Sequence, residues 1–215
     1  MTEHLAAQRA LRASMAELVQ HRGMLTGLAV GYGSARHCHG IFLGLAREVI
    51  REGGAFREAP LPIDKDSLYD IASLTKLFTL ASALMLIERG KMAFSDSVRR
   101  LDPRFQALAD CPLLDLMCYE AVLKTPERVD AQKDREAALG QVFRTYRARE
   151  EGARLYSDMN ALVLKYLVEA VSGQDYPAFL RENILEPLGM HSTFVRVPPG
   201  RAGCALDYNY EHRVL

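Results

Sequence analysis

Apolar residues recur at helical spacing near the start of the chain and in strand-like runs after it. The segment from Leu5 to Val19 predicts an amphipathic helix. The run from Leu25 to Gly33 predicts a strand, and the run from Ile41 to Ile50 predicts a second one, although its composition also allows a helix. Two such runs joined by a turn-like segment indicate a β-hairpin. Residues 51–66 are rich in Gly, Pro and charge, so we expect a loop there.

Helical patterns dominate the rest of the chain. The most apolar helix is predicted from Leu74 to Ile87, directly after Ser73, with Gly90 as its C-terminal stop. Because this helix is apolar on nearly every side, we expect it in the interior of a domain. Further helices are predicted at residues 134–146, 160–171 and 176–185. Strands followed mostly by helices predict an α/β fold of the α+β type, in which a helical layer covers a small antiparallel sheet.

Composition narrows the class of protein. Apolar residues make up 49% of the 215 positions and charged residues 25%, which is typical of a globular chain. The 27 basic and 27 acidic residues cancel, which argues against nucleic acid or an anionic membrane as a partner. No apolar run reaches the roughly 20 residues that span a bilayer, and the N-terminus has no apolar signal core. With only 4 cysteines, we expect a cytoplasmic protein.

Ser73 and Lys76 form the most suggestive chemical pair. Residues three apart on a helix share a face, so the amine lies beside the hydroxyl. A serine hydroxyl needs a neighbouring base to become a nucleophile, and a lysine acts as that base only if its pKa falls. Free N–H groups in the first turn can support negative charge on a substrate carbonyl. Spacing alone also fits a capping serine followed by a solvated lysine, but the apolar helix favours catalysis.

The sequence His37-Cys38-His39 contains three side chains of the kinds that bind metal ions. On a strand the two histidines face one way and the cysteine the other, and no further ligand cluster accompanies them. We therefore interpret this segment as a turn or an exposed edge and predict no metal site.

Two long segments carry a family resemblance. DSLYDIASLTKLFTLASALMLIERGKMAFSDSVRRLDPRF resembles the nucleophile segment of the serine β-lactamase and penicillin-binding-protein family, in its class C-like and esterase branch. RLYSDMNALVLKYLVEAVSGQDYPAFLRENILEPLGMHSTF resembles the segment with the family's second motif, Tyr-x-Asn. The similarity covers about residues 24–196 and extends beyond the motif letters into the EPLGM turn.

The resemblance implies a role for four residues. Ser73 would be the acylated nucleophile, Lys76 its activating neighbour and Tyr156 the proton-transfer partner. Asp158 stands where many family members have asparagine and would contact the substrate. Aspartate adds a negative charge and removes an amide donor, so it could instead cap the following helix.

The resemblance also implies a third motif, Lys-Thr-Gly or His-x-Gly, on a later strand, and this sequence contains neither triplet after the second motif. We therefore expect one partial domain across residues 1–215, without the family's C-terminal strands. Its parts would be an N-terminal helix and sheet hairpin (1–72), a mostly helical region bearing both motifs (73–196) and a tail (197–215).

Two functions follow as hypotheses. The first is a serine hydrolase that acts through an acyl-enzyme on small-molecule esters, amides or β-lactams, with no metal or organic cofactor. β-Lactamase, esterase and D-alanyl peptidase activities stay open within it. The alternative is a catalytically inactive binding or interaction module of the same family. Its open sheet edge would be covered by a second copy or a partner chain.

Overall fold

The computed structural model describes residues 2–22, 25–34, 36–148 and 155–204. The chain forms two compact units. The first contains the described residues up to Asp70 and those from Arg196 onward, and the second runs from Ile71 to Val195. That the whole chain is one partial domain stays a prediction, and residues 205–215 of the predicted tail lie outside the described residues.

The first unit combines one helix with a small antiparallel sheet. Helix α1 (Thr2–Ala16) continues as a π-helical turn (Glu17–His21). The sheet has the order β1-β2-β3, with strands β1 (Gly27–Gly33), β2 (Cys38–Glu52) and β3 (Ala55–Pro62). The predicted helix and the predicted hairpin are confirmed.

The third strand corrects the prediction of a loop at residues 51–66. Gly53 and Gly54 have φ angles of +60° and +84°, so both central residues of the turn are left-handed, as a tight two-residue hairpin requires. Pro60 and Pro62 are tolerated in β3 because it is an edge strand, where a missing N–H need not break the ladder. The Gly-Gly pair between two extended runs was the signal that sequence reasoning missed.

The second unit is mostly helical. A 3₁₀ turn (Ala72–Leu74) leads into helix α2 (Thr75–Glu88). The helices that follow are α3 (Val98–Leu101), α4 (Leu113–Met117), α5 (Arg135–Phe143), α6 (Asp158–Ser172) and α7 (Tyr176–Leu180). A short antiparallel pair, β4 (Leu123–Lys124) and β5 (Tyr146–Arg147), completes it. The helices predicted near residues 134, 160 and 176 are confirmed, as is the mixed α/β class.

Helix α6 has local signals at both ends. The Ser157 hydroxyl accepts a hydrogen bond from the Met159 N–H at 3.1 Å, so Ser157 rather than Asp158 caps the helix. This corrects the capping role considered for Asp158. Gly173 follows the last turn at φ +74°, a left-handed conformation that glycine adopts without a Cβ clash.

Helix α2 packs by the side that carries its small residues. The buried residues of this helix are Thr79, Ser82, Ala83 and Leu86, whereas Leu77 is about 60% exposed. The Thr79 hydroxyl shares a hydrogen bond of 3.2 Å with the Tyr176 hydroxyl on α7. The expectation that this helix lies in the interior of a domain therefore holds for one of its sides and not for the side of Leu77. Small side chains allow neighbouring helices to approach closely, and Leu77 and Leu84 lie on the more exposed side.

A pair of glycine substitutions tests the role of the left-handed glycine at the C-terminal end of α6. We expect Gly173→Ala to lower the free energy of unfolding by about 1–2 kcal/mol, because a Cβ strains the left-handed backbone. Gly140→Ala is the control, since it lies exposed inside α5 and its Cβ would also meet nothing within 4 Å. It should raise the free energy of unfolding by about 0.5–1 kcal/mol. Equal urea midpoints for the two variants would contradict this assignment.

Candidate active site

Ser73 lies in the 3₁₀ turn that precedes α2, immediately after a strained residue. Ala72 has a φ angle of +43°, in the left-handed region that residues with a Cβ rarely occupy. Strain of this kind persists where the surrounding structure holds it, and it concentrates at functional sites. The turn thus sets the direction from which the Ser73 hydroxyl projects.

The amine of Lys76 lies at the centre of a polar cluster. Its Nζ donates a hydrogen bond to Ser73 Oγ at 2.9 Å and lies 2.6 Å from Asp158 Oδ1. The same nitrogen is 4.9 Å from the centre of the Tyr156 ring, within cation–π range. The structure therefore brings together all four residues singled out in the sequence: two from the start of α2 and two from the segment that opens α6.

A fifth residue, Tyr119, completes the cluster and was not predicted. Its ring stacks on that of Tyr156, with centroids 5.4 Å apart and an interplanar angle of 15°. Tyr119 follows α4 and has a left-handed φ of +58°. Its position depends on that backbone conformation and on contacts distant in sequence, so no local pattern points to it. The stacking orients Tyr156, whose side chain is otherwise 63% exposed.

Lys76 stays cationic at neutral pH. Burial tends to lower its pKa, but hydrogen bonds and charge interactions with Asp158 and Tyr156 outweigh burial and raise the pKa above its ordinary value. The lowered pKa that a lysine base would need is therefore absent in this state of the site. Lys76 is arranged instead to stabilise negative charge on its neighbours.

The phenol of Tyr156 shifts in the opposite direction. Hydrogen bonding with Ser73 and then with Lys76 lowers the pKa of Tyr156, while slight desolvation and the charge of Asp158 oppose the shift. A phenolate held beside Ser73 and a cation is able to accept the serine proton. The geometry therefore suits Tyr156 as the base and Lys76 as its electrostatic support.

Asp158 occupies the position expected to contact a substrate. Its carboxylate pairs with Lys76, yet its side chain is 86% exposed. A carboxylate accepts hydrogen bonds and, unlike an asparagine amide, donates none. Substrate contact by Asp158 stays a prediction, and its contact with Lys76 gives it a second role.

A cavity of roughly 430 Å³ opens beside these residues. Ser73, Lys76 and Tyr156 line it together with leucines of α2, residues of α4 and the buried side of α6. Asn160 is 1% exposed and also lines it; its Nδ2 donates to the carbonyls of Leu116 and Ala121, each at 3.1 Å. These bonds hold α6 against the end of α4. The nucleophile thus faces a concave space of the size that small ligands occupy.

Across the described ranges, no group of three or more His, Cys, Asp or Glu side chains could hold a metal ion. The His39 ring stacks on Tyr32 with centroids 5.5 Å apart, and Cys38 is exposed at the start of β2. Separately, none of the helices described is long and apolar enough to cross a membrane.

Comparison with known proteins identifies the family of the chain. The family model described as beta-lactamase matches residues 3–213. The chain belongs to the beta-lactamase family. The resemblance seen in the two motif segments is therefore confirmed.

Relatives in this family carry several names. The chain is 28% identical to a putative D-alanyl-D-alanine carboxypeptidase of Escherichia coli strain K12, over 66% of this chain and 37% of that protein. It is also 28% identical to penicillin-binding protein 4* of Bacillus subtilis strain 168, over 72% of this chain and 38% of that protein. A beta-lactamase of Pseudomonas fluorescens matches at 28% identity over 68% of this chain and 42% of that protein. The chain spans about two fifths of the length of these relatives.

Solved structures agree on the fold. A class C beta lactamase from Rhodobacter sphaeroides superposes with a TM-score of 0.70 at 26% identity, over 90% of this chain and 53% of that one. Another class C beta lactamase gives a TM-score of 0.76 at 18% identity, over 92% and 54%. The chain thus has the class C beta-lactamase fold over about half of those proteins.

Replacing Asp158 tests its effect on Lys76. We expect Asp158→Asn to lower the pKa of Lys76, because the substitution removes a negative charge 2.6 Å from the amine. An NMR pH titration of isotope-labelled lysine side chains measures the change. The matched control is Asp175→Asn at the start of α7, which should leave that pKa unchanged. An unchanged Lys76 titration in Asp158→Asn would show that the ion pair is absent in solution.

Proposed function

We propose that this chain is the nucleophile-bearing part of a serine hydrolase that acts through an acyl-enzyme. The observation that carries the proposal is the polar cluster itself. The Ser73 hydroxyl is hydrogen-bonded by the Lys76 amine at 2.9 Å, and Tyr156 lies against the same amine. Membership in the beta-lactamase family supports the assignment of these roles.

The chemistry begins with proton transfer from the Ser73 hydroxyl to the phenolate of Tyr156. The serine oxygen bonds to the substrate carbonyl carbon, and Lys76 stabilises the negative charge that moves between neighbouring oxygens. Tyr156 then gives the proton to the leaving amine or alcohol as its bond to the carbonyl carbon breaks. In the second half, Tyr156 takes a proton from water, the resulting hydroxide attacks the ester, and the proton returns to Ser73 as the acid departs.

The proposed substrates are small molecules with an ester, amide or β-lactam carbonyl. Relatives named beta-lactamase and D-alanyl-D-alanine carboxypeptidase support an acyl-transfer reaction of this class. An ester is the least demanding test substrate, because its leaving group departs more readily than an amine.

Substitution of the nucleophile tests the proposal directly. We expect a fluorophosphonate probe to label Ser73, as located by mass spectrometry of the adduct. Ser73→Ala should abolish labelling and reduce hydrolysis of nitrophenyl acetate to background, a loss of up to about 10⁶-fold for a nucleophilic serine. Ser95→Ala, at an exposed serine outside the site, is the control and should retain both. A folded protein that shows no label on Ser73 would refute the acyl-enzyme proposal.

A second substitution tests the role of the Tyr156 hydroxyl. Tyr156→Phe keeps the ring that stacks on Tyr119 but removes the oxygen that accepts the proton. We expect the rate of Ser73 acylation to fall by about 10²–10⁴-fold. In the native protein the rate should rise with pH through the lowered pKa of Tyr156, and the variant should lose that rise. Tyr146→Phe is the control; a similar loss there would point to a general effect of removing tyrosine hydroxyls.

The alternative function is a catalytically inactive binding or interaction module. The exposed leucines next to Ser73 favour this hypothesis, since apolar surface on a soluble protein often marks an interaction site. Under it, a second copy or a partner chain would cover an edge of the sheet. Ser73→Ala would then behave like the native protein in every assay, and sedimentation would show association. Loss of ester hydrolysis in Ser73→Ala would reject the alternative.

A further inference from the structure

We propose that the cavity beside Ser73 receives an apolar acyl chain, so that the preferred substrates are esters of medium-chain aliphatic acids. This inference rests on the proposed function and names the substrate class of the same site. It follows from the walls of the cavity, the position of its polar residues and the exposure of its leucines.

The walls of the cavity are apolar and come from three helical segments. The lining residues that carry the argument are Leu77 and Leu80 of α2, Leu116 and Met117 of α4, and Ala161 and Leu164 of α6. Leu116 and Leu164 are buried, so two of the three walls are fixed by the core of this unit. A rigid apolar wall favours a chain without polar substituents.

Polar residues in the lining are few, and most belong to the catalytic cluster. Ser73, Lys76 and Tyr156 meet at one place, and Lys76 is the charged residue of the lining. A substrate that places its carbonyl at Ser73 can therefore place its chain along the leucines. The oxygens of the ester then contact the polar side chains, and the methylene groups of the chain contact the apolar side chains of the wall.

The cavity also exposes apolar surface that a chain would remove from water. Leu74 and Leu77 are 60% and 61% exposed although both line the cavity. Burying apolar surface stabilises a complex by an amount that corresponds to about a fourfold gain in affinity for each methylene group. The volume of roughly 430 Å³ lies within the range of small-ligand pockets, so the gain should continue over several methylenes before it levels off.

The experiment measures kcat/KM for nitrophenyl esters from acetate to decanoate. We expect kcat/KM to rise up to about fourfold for each methylene and then to level off. Leu77→Gln should flatten this rise, because it places an amide in an apolar wall. Leu84→Gln is the matched control, since Leu84 is exposed on the same helix and does not line the cavity. It should retain the rise.

A second variant tests the size of the cavity rather than the polarity of its walls. Ala161→Phe narrows the cavity from α6, so the ratio of decanoate to acetate turnover should fall by at least about tenfold, as loss of two or more methylene contacts implies. Ala170→Phe, at an exposed position of the same helix, should leave the ratio unchanged. A chain-length profile that is flat in the native protein, or equal in Leu77→Gln and Leu84→Gln, overturns the inference.

Binding separates this inference from the proposed function. The Ser73→Ala protein, which cannot be acylated, should bind the neutral apolar dye N-phenyl-1-naphthylamine with increased fluorescence, and decanol should displace it more strongly than butanol. Leu77→Gln in that background should weaken binding, and Leu84→Gln should not. Fluorophosphonate labelling of Ser73 without this binding overturns the chain site and leaves the hydrolase proposal intact. Binding without labelling supports the chain site and refutes the hydrolase proposal.

Discussion

One partly exposed ammonium group organises the candidate site. Lys76 Nζ contacts the Ser73 hydroxyl, the Asp158 carboxylate and the face of Tyr156, which lie on segments more than eighty positions apart in the chain. Removing that cation would leave the serine without its donor and the phenol without the charge that lowers its pKa. The packing of α2 against α6 places these groups within reach of each other. Catalysis of the proposed kind therefore depends on the contact between two helices.

The parts of the structure that local rules govern could be predicted from the sequence. The spacing of Ser73 and Lys76 on one helix face placed the amine beside the hydroxyl, and Gly90 marked the end of α2. Tyr156 could be assigned only through the family resemblance, because a lone tyrosine before a helix has many uses. Tyr119 could not be found at all, since its stacking depends on a left-handed backbone and on a partner distant in sequence.

The free side of α2 shows why hydrophobicity alone misplaces a helix. The most apolar segment of the chain packs through Thr79, Ser82 and Ala83 as well as Leu86, and hydrogen bonds satisfy the two hydroxyls. Small side chains allow close approach, and their polar atoms cost little once they are paired. Leu77, which the apolar pattern predicts in the core, forms part of the wall of the cavity instead.

The strained alanine before the nucleophile has a consequence for evolution of the site. A glycine at position 72 would relieve the left-handed strain, yet it would also widen the range of conformations open to the turn. The methyl group of Ala72 thus lowers the stability of the fold through strain, and it also restricts the positions that Ser73 can take. A substitution at position 72 that stabilises the fold would therefore also make the position of the Ser73 hydroxyl less well defined. At this one residue, stability and placement of the nucleophile oppose each other.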